Sequence, residues 1–202
     1  MSIPTGWANG EEDSLLKAKQ ARVESPRHPL LTWSCAPQGP YTNSDRSLLF
    51  AKEFATEHDL QIHMHLHETQ AELDIDLKAH KKRPFQRLYD LGLLDNRFLA
   101  VHMVHLTDEE IAMTAEIGIH VSHNPEANLK LASGFAPIAK LMNTGINVCL
   151  GTDGSASNND LDMFGELRTA ALIAKAHNQD PTVLDAMTTL EMATINGAKA
   201  VA

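Results

Sequence analysis

The sequence predicts an α/β fold, a partial (β/α)8 barrel with about five strands on a mostly parallel sheet, and two observations predict it. Short apolar runs alternate with helical patterns along the chain, the signature of βα units. Several of those runs end in residues that bind metals or move protons: Gln61 to Thr69, Val101 to His105 and Gly151 to Gly154. A parallel barrel builds its site in that way, at the carboxyl ends of its strands. Residues 1–202 read as one such domain.

The opening, Met1 to Gly10, is loop-like. β-type runs follow at Leu30–Cys35, Leu60–Leu66, Phe98–Val104, Ile117–Val121 and Ile146–Leu150, each before polar or Gly/Pro/Asn-containing turns. Between them, Ser44–His58 opens on a capping serine and carries Leu48, Leu49, Phe54 and Ala55. Thr107–Glu116 opens Thr-Asp-Glu-Glu, placing acids at a helix N-terminus. Pro137–Met142 precedes the last strand and the amphipathic pattern Leu161–Ala176 follows it. The final pattern, Thr189–Ala202, stops in a helix without a C-terminal glycine. A closed barrel needs eight strands and runs to ~250 residues, so the chain is expected to be a piece truncated at both ends.

A net charge of −9 with no basic run longer than Lys81-Lys82-Arg83 argues against nucleic acid or an anionic membrane as partner and favours a small molecule. Cys35 and Cys149, each near the end of an apolar run, are expected to be buried free thiols in a reducing compartment. Met1 to Leu15 lacks the basic start and apolar core of a secretion signal, and no run approaches the ~20 apolar residues of a membrane span, so the expected location is the cytoplasm.

His63, His65 and His67 alternate along one strand, so they point to the same face. A lone strand histidine is usually packed and hydrogen-bonded. Three in alternation with Glu68 directly after them are costly unless a site uses them. His65-x-x-Glu68 is the favoured pair, a neutral imidazole ligand and a proton carrier just past the strand. Asp153 sits in Gly-Thr-Asp-Gly, where the chain turns sharply at the mouth of the sheet, although Asp-Gly is also a common turn. His102 ends its strand in the same way with His105 beyond it, and either could be a helix neighbour instead. Ser122-His123-Asn124-Pro125 with Asn128 reads as a polar turn ahead of a helix.

His65-x-x-Glu68, Val101-His102-x-x-His105-Leu106, Ser122-His123-Asn124-Pro125-x-x-Asn128-Leu129-Lys130-Leu131 and Gly151-Thr152-Asp153-Gly154-x-x-x-Asn158-Asn159 occur in this order. The set, with the Thr5-Gly6-Trp7 opening, resembles the amidohydrolase superfamily, in the branch of the 5-methylthioadenosine/S-adenosylhomocysteine deaminases, related to the triazine chlorohydrolases. The resemblance implies one divalent metal, Zn²⁺ or else Fe²⁺, held in part by His65 and Asp153 and lowering the pKa of a water. It implies that Asp153 takes the water's proton, His102 holds and polarises it, and Glu68 protonates the purine ring. The implied reaction is hydrolytic deamination of an adenine nucleoside to an inosine-type product and ammonia.

Two departures accompany it. The first-strand His-x-His pair that the resemblance implies is absent, which leaves two of the four implied ligands. Gln38, in Ala36-Pro37-Gln38-Gly39-Pro40-Tyr41, stands where relatives usually carry a substrate-contacting histidine; it can hydrogen-bond but cannot become a cation. Gln38, Glu68, His102 and Asp153 are thus the expected substrate contacts. A sheet with two open edges is also expected to self-associate or bind a complementary chain. The alternatives are a hydrolase of another aminated or chlorinated heterocycle, of guanine deaminase or triazine chlorohydrolase type, and a catalytically inactive remnant.

Overall fold

The computed structural model describes residues 6–26 and 28–202. Met1 to Thr5, and with them Thr5 of the expected opening motif, lie outside the described residues. The elements run α1 (Glu11–Glu24), β1 (Ser34–Cys35), a 3₁₀ turn at Pro40–Thr42, α2 (Asp45–Glu57), β2 (Gln61–Leu66), α3 (Gln70–His80), α4 (Pro84–Asp90) and β3 (Phe98–His102). They continue with α5 (Asp108–Ile117), β4 (His120–His123), α6 (Pro125–Lys130), α7 (Ile138–Asn143), β5 (Val148–Leu150), α8 (Met163–Asn178), α9 (Ala186–Met192) and α10 (Ile195–Ala200).

The five strands form one sheet in sequence order, every pairing parallel. The register sets Leu66 beside His102 and His123 beside Leu150, which aligns the carboxyl ends of β2 to β5 along one rim. One face of the sheet carries the main core: Ile62, Met64, Leu66, Phe98, Ala100, Val121 and Val148 pack against Leu48 and Phe54 of α2, Phe85 and Leu88 of α4, Leu141 of α7 and Ala170 of α8. Burying side chains of this size contributes about 1.5–3 kcal/mol each. The opposite face carries Leu99 and Cys149, which pack on Ala200 of α10. α10 is tied across it by Asn196 Nδ2 donating to Val148 O at 3.0 Å and by Gln61 Nε2 donating to Ala200 O.

Local signals placed the helices well where they cap. Ser44 Oγ accepts from Ser47 N at 3.1 Å at the start of α2, and Leu48, Ala51, Phe54 and Ala55 form its buried face. Thr107 and Glu110 close a reciprocal capping box on α5, and Gly118, at φ 85°, ends that helix in the left-handed conformation glycine tolerates. That glycine also corrects the expected strand at Ile117–Val121: Ile117 is still helical, and β4 begins at His120 and runs through His123. The expected strand Leu30–Cys35 shrinks to Ser34–Cys35, since Leu30 and Leu31 are exposed and, among the described residues, β1 pairs only with β2. The final pattern splits at Ala193 and Thr194 into α9 and α10. Cys149 is buried, but Cys35 is only half-buried, and both thiols are free. The helices α1, α3 and α4 were not expected from sequence.

A buried cation holds the segment that leads from β1 into α2. Arg87 Nη1 donates to Pro40 O at 2.9 Å and to Asp76 Oδ1 at 3.1 Å, Nη2 donates to Asn43 O at 2.9 Å, and Nε donates to Asp45 Oδ1 at 2.8 Å. Burial pushes the Asp76 carboxyl up, and the Arg87 charge pulls it back. Removing one partner of such a pair leaves an uncompensated charge in the interior. Arg87→Met should therefore cost about 3–5 kcal/mol in urea denaturation, whereas Arg97→Ala, facing the exposed Asp59, should cost less than about 1 kcal/mol. Equal losses would contradict this assignment.

Candidate active site

Strand alternation assigns His63, His65 and His67 to one face, and His102 to the opposite face with Phe98 and Ala100. The turns at the strand ends change that assignment. His67 (φ 56°), His102 (φ 76°), Met103 (φ 49°) and Asp153 (φ 62°) all adopt the left-handed conformation that costs non-glycine residues energy and concentrates at functional sites. His67 leaves the face of His65 and becomes fully buried beside Phe85, their rings 6.4 Å apart. His102 moves the other way and stacks on His65, ring centroids 5.3 Å apart. Asp153 turns in from the end of β5 to meet them, its Oδ2 3.9 Å from His102 Nε2.

His65, His102 and Asp153 each offer a ligand atom, and these atoms lie within 4.8 Å of one another. Each is oriented by a second partner. His65 Nδ1 donates to the Gln38 carbonyl at 2.7 Å, which leaves Nε2 as the ring's ligand atom. His102 Nδ1 donates to Asn128 Oδ1 at 2.8 Å, and its buried Nε2 has no hydrogen-bond partner. Asp153 Oδ2 accepts from Ser157 Oγ and Oδ1 from Gly154 N, each at 2.7 Å. Imidazoles whose second nitrogen donates to a carbonyl or amide, beside a fixed carboxylate, are the donor set of a divalent metal site. Burial holds the His102 imidazolium form down, with Glu68 working against it, so the ring stays a neutral donor. The arrangement fits a metal ion at the expected pair His65 and Asp153, and it brings His102 Nε2 beside them.

Glu68 Oε2 lies 3.7 Å from His102 Nε2, beside the donors. Its backbone N–H is held by Glu72 Oε2 at 3.1 Å, and burial, helped by Glu68, pushes the Glu72 carboxyl up to about 7. Glu72 is legible in hindsight as the last residue of a Thr69-x-x-Glu72 capping pattern. Gln38 reaches the site through its main-chain carbonyl, which also accepts from His65 N at 3.0 Å, while its side chain is exposed. The contact that orients the His65 ring is thus made by a main-chain atom.

The remaining histidines are not brought to the donor cluster. His63 shares the face of His65 but is exposed nearer the start of the strand. His67 Nε2 accepts from Phe85 N at 3.1 Å and Nδ1 donates to His105 O at 3.1 Å. Arg83 donates to the same carbonyl and to both oxygens of Glu110, so this network welds the turns after β2 and β3 together. His105 Nε2 pairs with Ser133 O at 2.9 Å. His123 is a strand residue rather than part of a turn, and burial with His102 alongside drives it down to about 3.

Residues 11–202 match the amidohydrolase family. The chain belongs to the amidohydrolase family. Among its relatives, a 5-methylthioadenosine/S-adenosylhomocysteine deaminase of Teredinibacter turnerae is 46% identical over all of this chain and 46% of its own length. A 5'-deoxyadenosine deaminase of Methanothermobacter thermautotrophicus is 48% identical over 81% of this chain and 38% of its own. The crystal structure of a zinc-bound adenosine deaminase from Xanthomonas campestris superposes with a TM-score of 0.95 at 44% identity, over 100% of this chain and 46% of that one. An atrazine chlorohydrolase from Arthrobacter aurescens, at 24% identity and a TM-score of 0.88 over 96% of this chain and 44% of its own, shares the fold. This amidohydrolase chain thus spans 38–46% of the length of these relatives, and its five parallel strands are a part of their barrel.

The buried network makes a prediction with a definite sign. Burial holds His67 down to about 4 from 6.5, so between those values the unfolded chain binds a proton that the folded chain does not. The stability His67 provides is full above 6.5 and is lost as pH falls toward 4, on the order of 3 kcal/mol. The stability gap between wild type and His67→Gln, from urea denaturation across that range, should be widest at the upper end and shrink toward the lower. A gap independent of pH would refute the neutral, buried assignment.

Proposed function

We propose that this chain supplies one half of the active site of a metal-dependent hydrolytic deaminase of adenine nucleosides, with 5-methylthioadenosine or S-adenosylhomocysteine as substrate. The observation that carries this reading is the convergence of His65, His102 and Asp153 within 4.8 Å with Glu68 beside them. The deaminase names of the relatives support the substrate class, and the zinc bound in the Xanthomonas campestris structure supports the metal. The reading includes a cytoplasmic setting, which suits the free thiols of Cys35 and Cys149.

When bound, zinc lowers the pKa of a water toward ~7 and so makes a nucleophile available near neutral pH. His65 and Asp153 would hold the ion, and His102 would orient the attacking water through its Nε2. Asp153 accepts the water's proton, its carboxylate fixed by Ser157 and Gly154. Glu68 delivers a proton to the purine ring nitrogen, so that attack at C6 does not leave charge on the ring; the proton held by Asp153 then passes to the exocyclic amine, which departs as ammonia, while the C6 hydroxyl returns its proton to Glu68 as the carbonyl forms. Gln38, whose exposed side chain can donate and accept, contacts the nucleoside at the rim.

The edge strands β1 and β5 each pair on one side only among the described residues, and His63 is exposed on the inner face. A second copy or a complementary chain covers these edges in this reading. The ligands on this chain do not by themselves fix an ion against bulk water. Metal analysis after dialysis should therefore find well below one zinc per chain, and a tightly held stoichiometric ion would overturn that expectation.

In an enzyme restored by fusion or by a complementing fragment, Glu68→Gln should keep the metal and lower kcat by ~10²–10⁴, as loss of a general acid does. His65→Ala should lose the metal itself, and Asp153→Asn should impair both metal retention and turnover. Metal loss on Glu68→Gln with retention on His65→Ala would reverse the assignments. Ammonia release should be faster from methylthioadenosine than from guanine, and a higher kcat/KM for guanine, or for chloride release from a triazine, would move the substrate class.

A further inference from the structure

We propose that Glu166 is a positioning residue that holds the His102 side and the Asp153 side of the site in one geometry; this rests on the site as read above. Glu166 is fully buried in the first turns of α8, remote in sequence from every donor. Its two carboxylate oxygens go to two different strand-end loops. Oε2 accepts from Glu126 N at 3.2 Å, and Glu126 opens α6, the helix whose Asn128 holds His102 Nδ1 at 2.8 Å. Oε1 accepts from Asn158 Nδ2 at 2.6 Å, and that amide also donates to Thr152 O at 2.9 Å, directly before Asp153. Asn158 N and Ser157 N both donate to Gly154 O at 3.0 Å, and Ser157 Oγ holds the Asp153 carboxylate.

Capping α6 alone does not call for this arrangement, because a solvated acidic side chain would satisfy the Glu126 N–H without the desolvation cost of a buried carboxyl. Burial in fact pushes Glu166 up to about 7, so the site sustains that cost. What burial secures is a rigid, two-armed acceptor between the loops. Secondary ties follow the same path: Thr169 Oγ1 donates to Glu126 Oε1 at 2.8 Å, and Lys130 Nζ donates to Asn159 Oδ1 at 2.9 Å. Orienting groups of this kind typically change metal affinity 10–100-fold when removed. Glu166→Gln retains one acceptor and turns an NH₂ group toward the other donor, which opens one arm without creating a cavity.

Hydrogen exchange on the metal-free chain tests the bracket directly. Glu166→Gln should speed amide exchange about tenfold or more in 125–130 and 151–158 together, and shift the His102 ring nitrogens away from the pure Nδ1–H tautomer. Leu141→Ala, which truncates the main core in α7, should lower the melting temperature without that selective pattern. If Glu166→Gln does not fold, Asn158→Asp, which removes the amide shared by Glu166 Oε1 and Thr152 O, should show the 151–158 change. Zinc titrated onto the chain should bind about tenfold more weakly to Glu166→Gln than to wild type, and unchanged to Leu141→Ala. Exchange unaltered in both loops, or raised equally by Leu141→Ala, would overturn the proposal. A wild-type chain that binds no zinc at all would instead count against the metal site, with the exchange and tautomer measurements still deciding the role of Glu166.

Discussion

The left-handed turns at the strand ends are the constraint on which the site depends. Alternation along a strand would send His67 to the open face and His102 into the helix layer. A positive φ at each of those residues exchanges the two, so that His67 joins the packing beside Phe85 and His102 turns to the rim beside His65. The conformation is costly for residues with a Cβ, and it persists because neighbouring loops over-determine it. Met103 N donates to Leu66 O and Val104 N to His67 O, while Arg83 and Glu110 close the same junction from the helix side.

Around that rim the electrostatics are arranged by burial more than by charge pairing. His67, His102 and His123 are all held toward their neutral forms chiefly because the charged ring would be desolvated. Neutral rings suit both jobs, a hydrogen-bond hub at His67 and a nitrogen donor at His102. The carboxyls of Glu72 and Glu166 are raised by the same cause, and each sits where its oxygens accept from main-chain or amide donors in a strand-end turn. The side chains nearest the donors are thus supported by a surrounding set of buried acceptors, all placed at the amino ends of helices that follow the strands.

Much of this was legible because periodicity and capping are local. The alternation of apolar runs with amphipathic segments identified the parallel sheet, and Ser44 and Thr107 marked helix starts that the structure keeps. Boundaries failed where a distant partner decides them. Leu30 and Leu31 look like strand residues but find no neighbouring strand, and Gly118 delays β4 so that His123 lies on it. α3 and α4 have weak apolar periodicity because their buried positions include Glu72, Asp76 and Arg87, of which Asp76 and Arg87 pair with each other and Glu72 accepts from the Glu68 N–H.

The sequence by itself determined the fold class and the pool of residues from which the site is drawn: His65, Glu68, His102 and Asp153 stand at strand ends, where a parallel sheet delivers side chains to one rim. Only the tertiary structure showed which histidines of the pool converge at the rim and which are packed away from it. It also revealed that Gln38 acts on His65 through a carbonyl that every residue type carries, and that Glu166 is bonded to both loops. The physical reason is that a strand's period fixes a side chain's face only while the backbone stays extended. Once φ turns positive at the strand end, orientation is set by hydrogen bonds to residues far away in the chain, and no local pattern records them.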